Sequence, residues 1–212
     1  MKLHAYFRSS TSYRLRIALN LKGLEYAVQP VNIVAGEQKA PEFLSHNPFA
    51  GVPLLEADGR DRAQSLAILE WLDEAYPEPA LLPPAIEDRF TARELAYAIA
   101  TDIHAINNLS ALQYLKNVLG QDQPAIDSWY RHWLVKTLVP VERRLEQCRT
   151  DTFLFDRPGL FEVVLIPQMY NARRFAFDTS ALPNIERIEA ACLALPAFQR
   201  AHPDQQPDAP QP

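Results

Sequence analysis

The segment Arg8-Ser9-Ser10-Thr11-Ser12-Tyr13-Arg14 places four consecutive aliphatic hydroxyls between a short apolar stretch and a helical run, with an arginine at each end. A helix N-terminus carries about half a positive charge and several unpaired N–H donors, so it favours an anion. A hydroxyl held there can cap the helix, which contributes about 1 kcal/mol. It can also donate to a thiolate and lower the pKa of the thiol. The residues by themselves leave both roles open.

Other residues could contribute to such a site. Val52-Pro53 heads a short apolar run; its proline either starts a strand, which is allowed, or forms the cis bond seen in about 5% of X-Pro pairs. Gln64-Ser65 precedes a second helical run, with Ser65 read as its N-cap, and the helix start behind it suits a carboxylate. Gln38 lies in a loop and reads as an exposed glutamine. His104 and Asn108 are spaced i, i+4 in what reads as one long helix, so they are expected on one face. Asp102-x-His104 hints at a metal, but no second His or Cys completes a ligand set, and none is expected. Arg8 and Arg174 carry forked donors that match carboxylates, or they are plain exposed charges.

The elements that would position these residues follow from patterning. Leu3 to Tyr6 reads as a strand, Ser12 to Lys22 as a helix ended by Gly23, and valine-rich Tyr26 to Ile33 as a second strand. Pro41 to His46 reads as a helical turn. Val52 to Ala57 and Arg60 to Ala63 flank the hairpin dipeptide Asp58-Gly59, and the polar second strand is expected at a sheet edge. A helix over Ser65 to Ala75 completes a β-α-β, β-β-α order, the thioredoxin-like arrangement. Pro77, Pro79, Pro83 and Pro84 then read as a linker. Beyond it the pattern is helical only: Ile86 to about Leu119, Ala125 to Cys148, Leu160 to Phe175 and Ile185 to Leu195. The expected architecture is therefore α/β + all-α, with a thioredoxin-like domain over residues 1–80 and a helical domain over 86–212. The polar, proline-rich stretch 202–212 is expected to be a poorly ordered tail.

Composition excludes several classes. The 212 residues are 48% hydrophobic and 22% charged, ordinary for a globular protein, and long enough for one or two cores. A net charge of −5 argues against nucleic acid as a partner. No apolar run approaches the roughly 18–20 residues that span a bilayer, and MKLHAYF lacks the apolar core of a secretory signal. Cys148 and Cys192 make no CxxC pair, which points to a reducing cytoplasm rather than a disulfide framework.

With these residues in place, SSTSYRLRIALNLKG resembles the SSCxxR opening of the zeta-class glutathione transferases, the class that includes bacterial maleylacetoacetate and maleylpyruvate isomerases. The likeness recurs at NPFAGVPLL, QSLAILEWLDEAYP, DIHAINN, LIPQMYNARRF and AFQRAHPDQQPD, and so runs through both expected domains. It implies a glutathione-dependent cis–trans isomerase: the glutathione thiolate adds to a conjugated cis double bond, the single bond rotates, and elimination gives the trans product. It implies that Ser9, with Ser10 and Thr11, serves the glutathione sulfur, and that Val52-Pro53 is cis. Arg14, Gln38, Gln64, Ser65, His104 and Asn108 become glutathione contacts, and Arg8 and Arg174 become ligands of a small dicarboxylic substrate. A cytoplasmic homodimer is implied as well. Maleylacetoacetate is the expected substrate, with maleylpyruvate or an α-halo acid as rivals, and a non-catalytic binding module as a reading of another class.

Two departures from the family stand out. Thr11 replaces the usual cysteine, which removes any protein-thiol chemistry there and is shared with maleylpyruvate isomerases. Gly159 and Glu162 replace a Ser/Thr-x-x-Asp capping box, so only a half box through Glu162 is expected, at a small cost in stability.

Overall fold

The computed structural model describes residues 1–148 and 151–210. β1 (Lys2–Ala5) turns tightly into α1 (Ser10–Leu21), and β2 (Ala27–Pro30) follows. α2 (Pro41–His46), β3 (Leu54–Ala57), β4 (Arg60–Ala63) and α3 (Ser65–Ala75) complete the α/β part. The strands form one mixed sheet in the order β2-β1-β3-β4, with β1 parallel to β2 and antiparallel to β3. The thioredoxin-like order expected from sequence is present. Asp58 and Gly59 both take positive φ, 53° and 68°, the turn whose twist matches an antiparallel pair. Polar β4 is an edge strand, where Arg60-Asp61-Arg62 discourages further pairing, and the Arg62 guanidinium lies 3.8 Å from the centre of the Trp71 ring.

Gly23, at φ 66°, ends α1 as expected. Buried Lys22 then donates to Asp73 Oδ1 at 3.0 Å, Tyr76 O at 2.7 Å and Pro79 O at 2.9 Å, joining the end of α1 to the end of α3. Each donor of this ammonium has an acceptor, which is what a buried charge requires.

The chain divides into two compact units, and the division corrects the expected boundary. Met1–Leu81 is joined by the chain from Leu193 on, while Leu82–Cys192 forms the second unit. The C-terminal α10 (Pro196–Ala201) belongs to the first unit because α1 supplies its partners: Arg16 Nε donates to Ala201 O and Asn20 Nδ2 to Ala197 O, each at 2.9 Å. The tail expected to be poorly ordered is built as well. Pro203–Gln205 makes a 3₁₀ turn, and the Gln206 amide donates to Arg200 O at 3.0 Å and His202 O at 2.9 Å. Polar composition foretold too little apolar burial, but amide and carboxylate side chains satisfy the backbone instead. Of that stretch, Gln211 and Pro212 lie outside the described residues.

On the sheet, Glu56 Oε1 receives His4 Nε2 at 2.5 Å and Lys2 Nζ at 2.9 Å across the β1–β3 pair. These bonds hold the Glu56 carboxyl below its ordinary value, His4 contributing most. An acid whose folded pKa is depressed adds stability above its unfolded pKa and loses it as pH falls through the lower folded value. Glu56→Gln is therefore expected to lower the urea midpoint above about pH 5. The gap from the parent should close on further acidification, and a gap constant with pH would show that this ion pair is not its source.

The second unit, within its described residues, is wholly helical: α4 (Ile86–Tyr97), a π-helical turn (Ala98–His104), α5 (Ala105–Asn107), α6 (Leu109–Asn117), α7 (Gln123–Cys148), α8 (Leu160–Arg174) and α9 (Pro183–Leu193). Leu160, Phe161, Val163, Val164, Leu165, Ile166 and Met169 of α8 are each at most 2% exposed, so this helix is the centre of the unit's core. Glu162 Oε2 accepts Gly159 N at 2.8 Å, the half box expected, and its second oxygen takes Leu154 N at 2.7 Å. Glu142 caps α9 from α7, accepting Asn184 N at 2.8 Å and Ile185 N at 2.9 Å. Among the described residues no helix is long and apolar enough to cross a membrane.

Candidate active site

The site begins at the start of α1. The helix starts at Ser10, two residues earlier than the sequence pattern suggested, so Ser9 and not a later serine is the N-cap. Ser9 Oγ accepts Ser12 N at 3.2 Å. Thr11 Oγ1 donates to Val52 O at 2.8 Å and lies 2.9 Å from Ser9 Oγ. A threonine hydroxyl has one proton. Thr11 gives it to Val52, so the proton between the two hydroxyls comes from Ser9. The result is a chain, Ser9 to Thr11 to Val52, ending on the carbonyl that precedes Pro53, and the Val52–Pro53 bond is cis. Ser10 is buried at 5% exposure, whereas Ser9 and Thr11 are half-buried. No acidic side chain occupies the first turn of α1, so nothing in that turn offsets its positive end.

A second positive end lies at α3. The N-cap there is Gln64, at φ 69° and ψ 106°, with no side-chain capping bond; Ser65, expected as the cap, is instead the first helical residue. Its hydroxyl accepts Arg14 Nη1 at 3.2 Å. Arg14 is only 2% exposed, and its Nε and Nη2 are buried without a partner. Desolvation pushes its pKa down to about 10, so it stays charged at neutral pH. Burying a charge with no counter-charge costs several kcal/mol. A carboxylate arriving at the start of α3 would meet this cation and the unoffset helix end together.

Gln38 is 9% exposed, not the exposed loop residue expected, and its Oε1 is buried without a partner. It sits in a 3₁₀ turn (Glu37–Lys39) opened by Gly36 at φ 86°, a conformation that favours glycine. Asn47, which sequence reasoning passed over, shapes the loop before the cis proline: Nδ2 donates to Gly51 O at 2.7 Å and Oδ1 accepts Phe49 N at 3.1 Å. Its signal was the Asn-Pro step, a turn marker. Arg8 is exposed, its guanidinium 5.3 Å from the Phe7 ring centre.

The structure thus brings Ser9, Thr11 and Val52 together, and Arg14 with Ser65, all in the first unit. His104, Asn108 and Arg174 belong to the second. The single long helix expected to carry His104 and Asn108 is broken at Asn108. His104 closes the π-helical turn, and Asn108 is an extended N-cap, at ψ 169°, between α5 and α6. Its Oδ1 accepts Ala111 N at 3.0 Å and Ser110 Oγ at 2.6 Å, and its Nδ2 donates to Ala105 O at 2.9 Å. Asparagine competes well with the helical backbone at such a position, which is why the long helix breaks there. Arg174 is exposed at the end of α8 and donates to Asn171 Oδ1 at 3.2 Å. Among the described residues no group of three or more His, Cys, Asp or Glu could hold a metal ion.

A four-stranded thioredoxin-like sheet with donors at the starts of α1 and α3 defines a glutathione-transferase type of protein, and residues 1–74 match the family model for the glutathione S-transferase N-terminal domain. A probable maleylacetoacetate isomerase of Vibrio cholerae is 44% identical over 98% of this chain and 97% of its own. The holo structure of a maleylpyruvate isomerase, described as a bacterial glutathione S-transferase of the zeta class, superposes with a TM-score of 0.97 at 42% identity, covering 99% of this chain and 100% of that one. A maleylacetoacetate isomerase of Methylobacterium extorquens AM1, solved with bound malonate and glutathione, gives 0.95 at 36% identity over 100% of both chains. The chain belongs to the zeta class of the glutathione transferases.

Proposed function

We propose that the chain is a glutathione-dependent cis–trans isomerase that converts maleylacetoacetate to fumarylacetoacetate. The observation that carries this is the Ser9 hydroxyl at the unoffset N-terminus of α1, hydrogen-bonded to Thr11, which in turn holds Val52. Glutathione fits the donor set. Nε and Nη2 of buried Arg14 and Oε1 of Gln38 have no partner among the described residues, and they match a carboxylate and an N–H donor respectively. When bound, glutathione supplies a thiol whose ionised form adds reversibly to a conjugated double bond and leaves again.

The chain's own residues then have separate tasks. Ser9 turns its proton from Thr11 toward the sulfur and holds it ionised near neutral pH, helped by the helix end. Val52 offers the backbone of an added strand, with one carbonyl lone pair already engaged by Thr11. Ser65, Gln64 and Arg14 take the γ-glutamyl carboxylate. Gln38 completes the glutathione contacts within this unit, with Ser10 behind Ser9. Arg8 takes a carboxylate of the substrate; malonate, bound in the Methylobacterium relative, is a small dicarboxylate.

A second reading, maleylpyruvate isomerase, is favoured by Thr11 in place of cysteine. Rates with both keto diacids, measured side by side with glutathione, separate them. A kcat/KM for maleylacetoacetate at least about tenfold above that for maleylpyruvate is expected; the reverse order establishes the second reading, and no glutathione-dependent turnover of either discards both. Homodimerisation is part of the same proposal. Ile86 (79%), Phe90 (60%) and Tyr97 (36%) form an exposed stripe along α4 that another copy would cover. Two free cysteines accord with a cytoplasmic setting.

A further inference from the structure

The turn that carries Ser9 is held from behind by the end of the chain. Ser9 N donates to Tyr6 O at 3.0 Å, closing a turn over residues 6–9. Such a turn offers no partner to the N–H and C=O of its second residue, Phe7, which is 8% exposed. Both partners come from outside. Asp208 Oδ2 accepts Phe7 N at 2.9 Å, and Arg16 Nη2 donates to Phe7 O at 2.9 Å. Arg16 also donates through Nε to Ala201 O at 2.9 Å, so one guanidinium joins the turn to the last residue of α10. The segment that presents Asp208 is anchored by buried Gln206 on Arg200 O and His202 O, and Ala209 N donates to Gln206 O at 3.0 Å.

The geometry points to Asp208 as a positioning residue: its carboxylate fixes the Phe7 peptide and thereby the direction in which Ser9, two residues on, presents its hydroxyl. Resting on the reading of Ser9 as donor to the sulfur, Asp208 acts through the turn and not on the reacting atoms. Nothing in the local sequence pairs residues 201 positions apart, yet the tail motif HPDQQPDAP gains a role by it.

The test uses the full chain with Asp208→Ala and Asp208→Asn, reading kcat, KM for glutathione, Tm, and ultraviolet titration of the bound sulfur. Asp208→Ala is expected to lower kcat about tenfold, with KM for glutathione within about twofold, and to raise the pKa of the bound sulfur. Asp208→Asn keeps an oxygen for Phe7 N and is expected to restore both. An alanine variant with parental kcat and titration overturns the inference, as does one that has unfolded at the assay temperature or loses only Tm. An asparagine variant that fails to rescue assigns the effect to charge, and overturns it also. If the parent's bound glutathione is not ionised at neutral pH, the proposed function itself has failed and the role of Asp208 falls with it.

Discussion

Ser9→Ala is expected to lower kcat by about 10²-fold, the usual consequence of deleting one aligned donor to a reacting anion. KM for glutathione should change little, because the contacts proposed for the peptide lie elsewhere, at Val52 and at the start of α3. The same substitution removes the N-cap of α1, which costs about 1 kcal/mol and about 2–4 °C in Tm. That loss is too small to explain a hundredfold drop in a protein still folded at the assay temperature. Ser9→Thr is the informative partner variant, since it keeps a capping oxygen and a donor. Ultraviolet titration of the bound sulfur should show its pKa rising in Ser9→Ala. A kcat equal to the parent's, with the same titration, would remove Ser9 from the chemistry and leave it as a cap.

Much of this site was legible in the chain. Four hydroxyls before a helical run announced an electropositive helix end, and the Asp58-Gly59 dipeptide set the β3–β4 hairpin in register. What misled was local pattern without tertiary partners. The apolar spacing from Ile86 to Leu119 is helical throughout, but the Asn108 side chain bonds backbone N–H and C=O groups more effectively than the helix would, and the run breaks at Asn108. The tail looked unfoldable because it is polar, whereas Gln206 satisfies the nearby carbonyls of Arg200 and His202 and Asp208 satisfies Phe7 N, 201 positions away in sequence. Gln38 looked exposed because glutamine usually is, and only the fold shows its oxygen buried. Isolation of a charge is likewise invisible in sequence: nothing in SYRLR reveals that Arg14 meets a hydroxyl and, among the described residues, no carboxylate.

That isolation makes Arg14→Met the most discriminating variant. Burial that lowers the Arg14 guanidinium to about 10 disfavours its charged form in the folded state relative to the unfolded chain, a penalty carried at every pH below that value. Replacing a buried charge by an apolar chain of similar length is commonly neutral or stabilising by about 1–4 kcal/mol. The ligand-free protein is therefore expected to melt at the same temperature as the parent or a few degrees above it. Glutathione should bind at least about tenfold more weakly, since the charged partner proposed for its carboxylate is gone. A tenfold weaker Kd removes about 1.4 kcal/mol of ligand stabilisation at saturating glutathione, so the melting shift on adding millimolar glutathione should shrink. The two effects have opposite signs, and this distinguishes a cation kept for a ligand from one kept for the fold. A structural strut would give the reverse pattern: a lower Tm without ligand and an undiminished response to glutathione.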